Sequence, residues 1–117
     1  MIQREVIAGD TFPIAFTYRD ANKNPIDLPE GYDYVIGLHQ EGGKTVKVFS
    51  YQNGDIKNPE TGVYQWEADH EFSMQLKGVI IVEMVIYSRD GSFVRHCKEP
   101  IRLTVLESFM NEYLDIE

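Results

Sequence analysis

Apolar and polar positions alternate along this chain in short runs separated by Gly, Asn, Asp and Pro. A period of two is the mark of half-buried strands rather than of helices. Residues 3–8 form a first candidate strand. In residues 12–19, Phe12, Ile14, Phe16 and Tyr18 alternate with Pro13, Ala15, Thr17 and Arg19, after a turn at Gly9-Asp10 and before a polar turn over residues 20–25. Residues 32–40 place Tyr34, Ile36 and Leu38 on one face and Asp33, Gly37 and His39 on the other, with Val35 breaking the polar face. Glu41-Gly42-Gly43-Lys44 predicts a hairpin turn into a strand over residues 45–51.

Residues 53–62, with Asn53-Gly54-Asp55 and Asn58-Pro59-Glu60-Thr61-Gly62, read as a loop. The following run, residues 63–68, sets Tyr64, Trp66 and Ala68 against Gln65 and Glu67. Residues 69–78 suggest a short helical turn ended by Gly78. Residues 79–88 are the strongest strand. Ile80, Val82, Met84 and Ile86 share one face, and Val79, Ile81, Val85 and Tyr87 share the other, interrupted by Glu83. Such near-continuous apolar character predicts cover on both faces. Arg89-Asp90-Gly91-Ser92 is a hairpin turn, and residues 93–98 and 101–106 make one strand or two, with Pro100 at an edge or bulge. Regularly spaced short strands of this kind indicate an all-β sandwich or barrel.

The pattern changes at the end. Over residues 107–117 the period lengthens, and Leu106, Phe109, Met110, Tyr113 and Leu114 recur at three- and four-residue spacing, as on one face of a short amphipathic helix. A lone helix this short is not stable in water. It packs on its own domain, docks on another subunit, or frays. The division is therefore a β-sandwich domain at residues 1–106 and an acidic amphipathic tail at residues 107–117.

Composition narrows the function. A chain of 117 residues fits one domain. Its net charge of −8 argues against nucleic acid as a partner, because phosphate binding needs clustered Lys and Arg. The tail holds Glu107, Glu112, Asp115 and Glu117 and no base, half of that net charge. Cys97 is the single cysteine, so no intramolecular disulfide forms, and a small buried hydrophobe is favoured over a reactive thiol. Met1-Ile2-Gln3-Arg4-Glu5 lacks the basic and apolar regions of a signal peptide, and Val79-Ile80-Ile81-Val82 is too short to span a bilayer. The expectation is a soluble protein made in the cytoplasm, with no membrane partner.

No constellation of catalytic type appears. His39, His70 and His96 are isolated singles without metal-ligand spacing. Asp69-His70-Glu71 is the densest cluster, but it opens a polar turn, where Asp is common. Ser50, Ser73, Ser88, Ser92 and Ser108 lack a nucleophile context, and Gly42-Gly43-Lys44 lacks the rest of a phosphate loop. Asp20, Asn22 and Asn24 resemble a calcium loop in spacing only, without the required glycine and bidentate Glu. The expectation is a protein that is not an enzyme, with no catalytic residue, metal ligand or cofactor.

Gly9-Asp10-Thr11, the alternating strand after it, Asp20, and then Pro25-Ile26-Asp27-Leu28 resemble the β-sandwich module at the N-terminus of phage baseplate upper proteins, with Gly62-x-Tyr64 and Asp90-Gly91 as weaker supports. In that family these positions are turns and strand starts. The resemblance implies an immunoglobulin-like antiparallel β-sandwich of about seven to eight strands, followed by a short C-terminal amphipathic helix or tail. It further implies a non-catalytic phage or prophage structural or assembly module of tail or baseplate. Such a module would be made in the bacterial host and carried in the virion, docking on other phage structural proteins or on itself as a homo-oligomer. The chain departs from the baseplate upper protein in lacking its long extension after the sandwich and ending in the acidic tail, which favours a small accessory protein. The docking candidates are Phe109, Met110, Tyr113 and Leu114, together with exposed strand edges such as residues 3–8.

The rival is a carbohydrate-binding module for surface adhesion, with Tyr64 and Trp66 as the stacking platform for a glycan. Their shared face with Ala68 favours core packing for Trp66. A plain adhesin-like or periplasmic domain is a third possibility, weakened by the missing leader pattern.

Overall fold

The alternating runs fold into two packed sheets. A computed structural model describes residues 1–43 and 45–116, so Lys44 of the predicted hairpin turn and Glu117 of the acidic tail lie outside the described residues. Among the described residues there are nine strands: β1 (Ile2–Ile7), β2 (Phe12–Thr17), β3 (Tyr32–Gln40), β4 (Thr45–Ser50), β5 (Lys57–Glu60), β6 (Val63–Ala68), β7 (Gly78–Ser88), β8 (Val94–His96) and β9 (Ile101–Leu106). One short helix, α1 (His70–Met74), lies between β6 and β7. The larger sheet runs β1-β9-β7-β3-β4 with β8 also beside β7, and the smaller runs β2-β6-β5. This is an all-β, sandwich-like fold of two sheets.

Two details depart from expectation. β1 lies parallel to β9, so the larger sheet is mixed rather than purely antiparallel. The chain leaves β1 at the Gly9 turn and crosses to the other sheet as β2, so β1 takes the neighbour that runs its own way. The second departure is β5, inside the stretch read as a loop. It is an edge strand that contains Pro59 and meets β6 only irregularly, at Lys57↔Gln65 and Glu60↔Val63. An edge tolerates proline, and without alternation nothing in the pattern marks a strand.

β7 is the spine of the larger sheet. Ile80, Val82, Met84 and Ile86 point into the sandwich and are buried beside Ile36, Leu38 and Leu103. Its other face, Val79, Ile81, Glu83, Val85 and Tyr87, is only half-buried. There Val35, Val48, Val85 and Tyr87 line an open concavity of about 750 Å³. The second cover expected for this strand is therefore absent among the described residues. On one side β7 carries β9 against residues 78–82 and β8 against residues 85–87. The final stretch is thus two strands, divided by a bulge that contains Cys97 and Pro100. Cys97 packs against the core, and its Sγ accepts a hydrogen bond from Met84 N at 3.4 Å.

Of the residues that carry the resemblance, the stretch from Pro25 to Leu28 is tied to the start of β6. Asp27 Oδ1 accepts from Gly62 N at 2.8 Å, and Leu28 N donates to the Tyr64 hydroxyl at 2.9 Å. Gly62 has φ +78°, and a Cβ there would lie 2.8 Å from Pro25 Cβ and 2.9 Å from Tyr18 O. Both the left-handed backbone and the close approach exclude any other residue without rearrangement. Asp90 organises the other turn in the resemblance by accepting from Ser92 N, Ser92 Oγ and Ser88 Oγ at 2.7–2.9 Å.

Candidate functional site

At one pole of the sandwich β1 ends, β9 ends and β7 begins, with Val6 paired to Val105 and Val105 to Gly78. The chain turns at Gly9 there, and several elements converge on that turn. Ala8 N donates to Leu106 O at 2.8 Å, and Gly9 N donates to Ser73 Oγ of α1 at 3.0 Å. His70 Nδ1 lies 2.7 Å from Gly9 O. Asn111 Nδ2 donates to Ala8 O at 2.7 Å, which ties the segment after β9 to the same turn. Gly9 has φ +98°, and a Cβ on it would run into the Asn111 side chain.

From that anchor the acidic segment projects outward. It forms one 3₁₀ turn, Asn111–Tyr113, with Tyr113 N donating to Met110 O and Leu114 N to Asn111 O. The amphipathic helix anticipated for residues 107–117 is thus reduced to a single turn. A helix this short needs its apolar face buried, and here that face is open. Phe109 is 83% exposed, Tyr113 71%, Met110 61% and Leu114 48%. All four proposed docking residues are therefore accessible at one end of the molecule, beside Glu107, Glu112 and Asp115.

The glycan platform is corrected by the structure. Tyr64 and Trp66 are 2% and 4% exposed. Trp66 stacks on Phe49 at 4.4 Å and meets Phe12 and Phe72 edge-on, while Tyr64 stacks on Tyr34 at 4.4 Å. Both project from the inner face of β6, so neither offers a ring to a sugar. Burial pushes the Tyr64 hydroxyl above its usual pKa, against the opposing Leu28 N–H bond, with Asp27, Tyr51 and Tyr18 adding to the rise. Tyr34 is raised further, first by burial and then by Cys97 and Tyr64, and its hydroxyl has no hydrogen-bond partner among the described residues.

The weak chemical candidates have structural tasks. Asp69 caps α1 by accepting from Phe72 N at 2.8 Å, and His70 braces the Gly9 turn. Asp20 Oδ1 accepts from Asn22 N and Asn24 N, which closes the turn that spacing had likened to a calcium loop. Among the described residues no group of three or more His, Cys, Asp or Glu is arranged to hold a metal ion. No helix among them is long and apolar enough to cross a membrane.

Two features escaped the sequence. One is the Asn111 anchor, which sits on the polar side of the expected helix and carries no linear signal. The other is a cationic groove at the opposite pole, where Arg19 and Lys23 meet Arg95 and Lys98 beside Tyr18 and Ile26. Its members come from two distant stretches of chain and only the fold unites them. Comparison with known proteins adds no family: no family model matches the chain, and no curated protein matches it.

Proposed function

We propose that this protein is a non-catalytic structural or assembly module, of phage or prophage tail or baseplate type, that works by protein–protein docking. The observation that carries the reading is the exposed apolar set Phe109, Met110, Tyr113 and Leu114 on a segment anchored through Asn111. Large apolar side chains grouped at one pole, next to carboxylates and outside the core, suit a surface that is covered by a partner. The phage assignment draws on the resemblance through Gly9-Asp10-Thr11 and Pro25-x-Asp27-Leu28. In this chain Gly9 lies in the turn after β1, Pro25 bridges Arg19, and Asp27 accepts from Gly62 N. Strand edges are the secondary route, since β1 and β4 are the outer strands of the larger sheet.

The test is binding of the purified chain to the products of its neighbouring genes, by calorimetry or sedimentation. It is repeated with a full-length variant that carries Phe109→Ser, Tyr113→Ser and Leu114→Ser. A complex with a structural protein of the same particle, or with itself, that is lost in the variant supports docking. Absence of any complex, or a complex indifferent to the substitutions, overturns it.

A further inference from the structure

Resting on that docking reading, we propose that the receptor for the acidic segment is a second copy of this chain, which binds it in the cationic groove at the opposite pole. Arg19 and Lys23 come from the turn after β2, Arg95 from β8 and Lys98 from the bulge that follows. They line an open groove of about 750 Å³ together with Tyr18 and Ile26. The convergence runs against the field of a molecule with net charge −8. None of the four cations has an ion-pair partner among the described residues, where the one salt bridge joins Arg102 to Glu41 at 3.1 Å. Arg19 Nη1 donates to Lys23 O at 3.1 Å, and Arg95 lies 5.2 Å from the centre of the Phe93 ring. Both guanidinium groups are thus positioned without being neutralised. Asp20 is the single carboxylate in the lining, and its Oδ1 already accepts two backbone N–H groups.

The segment after β9 is the complement of this groove. Glu107, Glu112 and Asp115 alternate with Phe109, Met110, Tyr113 and Leu114, and no base interrupts them. Opposite charge steers and orients the encounter. Exposed ion pairs alone contribute little, so the hold comes from the apolar side chains against Tyr18 and Ile26.

While Asn111 keeps its bond to Ala8 O, a chain cannot serve its own groove. The segment leaves the sandwich level with Gly78, whereas Arg95 lies opposite Ile86, eight residues further along β7. At the rise of a strand that is about 26 Å. From its anchor at Asn111 the segment reaches at most about 14 Å by Asp115. The groove it fills therefore belongs to another molecule. A copy lying antiparallel exchanges both contacts at once, and a copy placed end-on makes one and leaves the other free to extend a row.

Complementation between two full-length variants tests this. The first keeps the segment and reverses the groove, with Arg19→Glu, Arg95→Glu and Lys98→Glu. The second keeps the groove and carries Phe109→Ser, Tyr113→Ser and Leu114→Ser. All the substituted side chains but Leu114's are well exposed or lie in the open groove, and circular dichroism confirms that each variant is folded. In light scattering at low salt the parent is expected to gain mass with concentration, and to gain it less steeply in several hundred millimolar salt. Each variant alone is expected to stay monomeric, and their mixture to associate again. A parent that stays monomeric at every concentration overturns the inference. Association that survives charge reversal also overturns it and moves the receptor elsewhere, for example to the outer face around Val35 and Val85. Neither result touches the docking reading if the segment still captures a neighbouring gene product.

Discussion

Tyr64 and Trp66 on one side, and Phe109 and Tyr113 on the other, are the same kinds of residue with opposite fates. The first pair projects from the inner face of β6, stacked on Tyr34 and Phe49. The second pair stands in solvent at the pole, on a segment tied to the fold through the Asn111 side chain. Buried aromatics contribute area and ring geometry to stability. Exposed ones contribute almost nothing to the stability of an isolated chain, and the docking proposal rests on that contrast.

Substitution at matched positions gives the largest separation between the two regions. Trp66→Ala empties the centre of the Phe12, Phe49 and Phe72 cluster and is expected to cost about 3–5 kcal/mol. Phe109→Ala is expected to change the stability of the monomer by less than about 0.5 kcal/mol. Urea denaturation followed by circular dichroism measures both. Similar losses in the two variants would dissolve the contrast.

Gly9→Ala comes next, because it strikes the joint between the regions. A side chain there meets both the left-handed backbone and Asn111. A loss on the order of 1–3 kcal/mol is expected. Faster proteolytic cleavage after residue 107 should accompany it, measured by mass spectrometry of a timed digest. Asn111→Ala should reproduce the faster cleavage with a smaller loss of stability.

Tyr34→Phe sharpens the buried side. It removes a hydroxyl without a partner and keeps the stacking ring, so stability should hold or rise by up to about 1 kcal/mol. Alkali should separate the two proteins further. Both Tyr34 and Tyr64 are raised in the folded state, so above the usual tyrosine pKa of about 10 the unfolded chain sheds protons that the folded chain keeps. Stability therefore falls as pH rises past that value, and it falls less steeply in Tyr34→Phe. Denaturation midpoints from pH 8 to 11 read this out, with the fold-neutral Phe109→Ala as the control.

The smallest effect belongs to the Asp90 turn. Hydrogen bonds from Ser92 and Ser88 hold its carboxyl down to about 2, from 3.8. A depressed pKa contributes stability that is present above the unfolded value and is lost as pH falls through the folded one. Asp90→Asn should therefore flatten the acid limb of the stability curve between those two values. The effect is small because the group is exposed to solvent.

Legibility followed physical locality. Residues 32–40 and 63–68 were readable to the residue, because Tyr34, Ile36 and Leu38 in the first and Tyr64, Trp66 and Ala68 in the second repeat every two residues and lie in the core. The strand over residues 79–88 was equally plain, but its second apolar face suggested a cover that this chain does not supply. β5 was invisible, since an irregular edge strand with proline has no period to detect. Burial of Trp66 followed from its neighbours on the strand. The apolar residues of the segment after β9 were visible from their spacing, but their exposure was not, because an amphipathic pattern looks the same whether it is covered or open. The Asn111 anchor and the cationic groove depend on contacts across most of the chain, which no local pattern encodes.

Light scattering of the full chain over a wide concentration range, against the variant with Phe109→Ser, Tyr113→Ser and Leu114→Ser, is the most direct trial. The expected result is a mass that climbs above the 13.5 kDa monomer in the parent and stays there in the variant. A parent that holds 13.5 kDa throughout, or a variant that climbs with it, contradicts self-assembly through this segment.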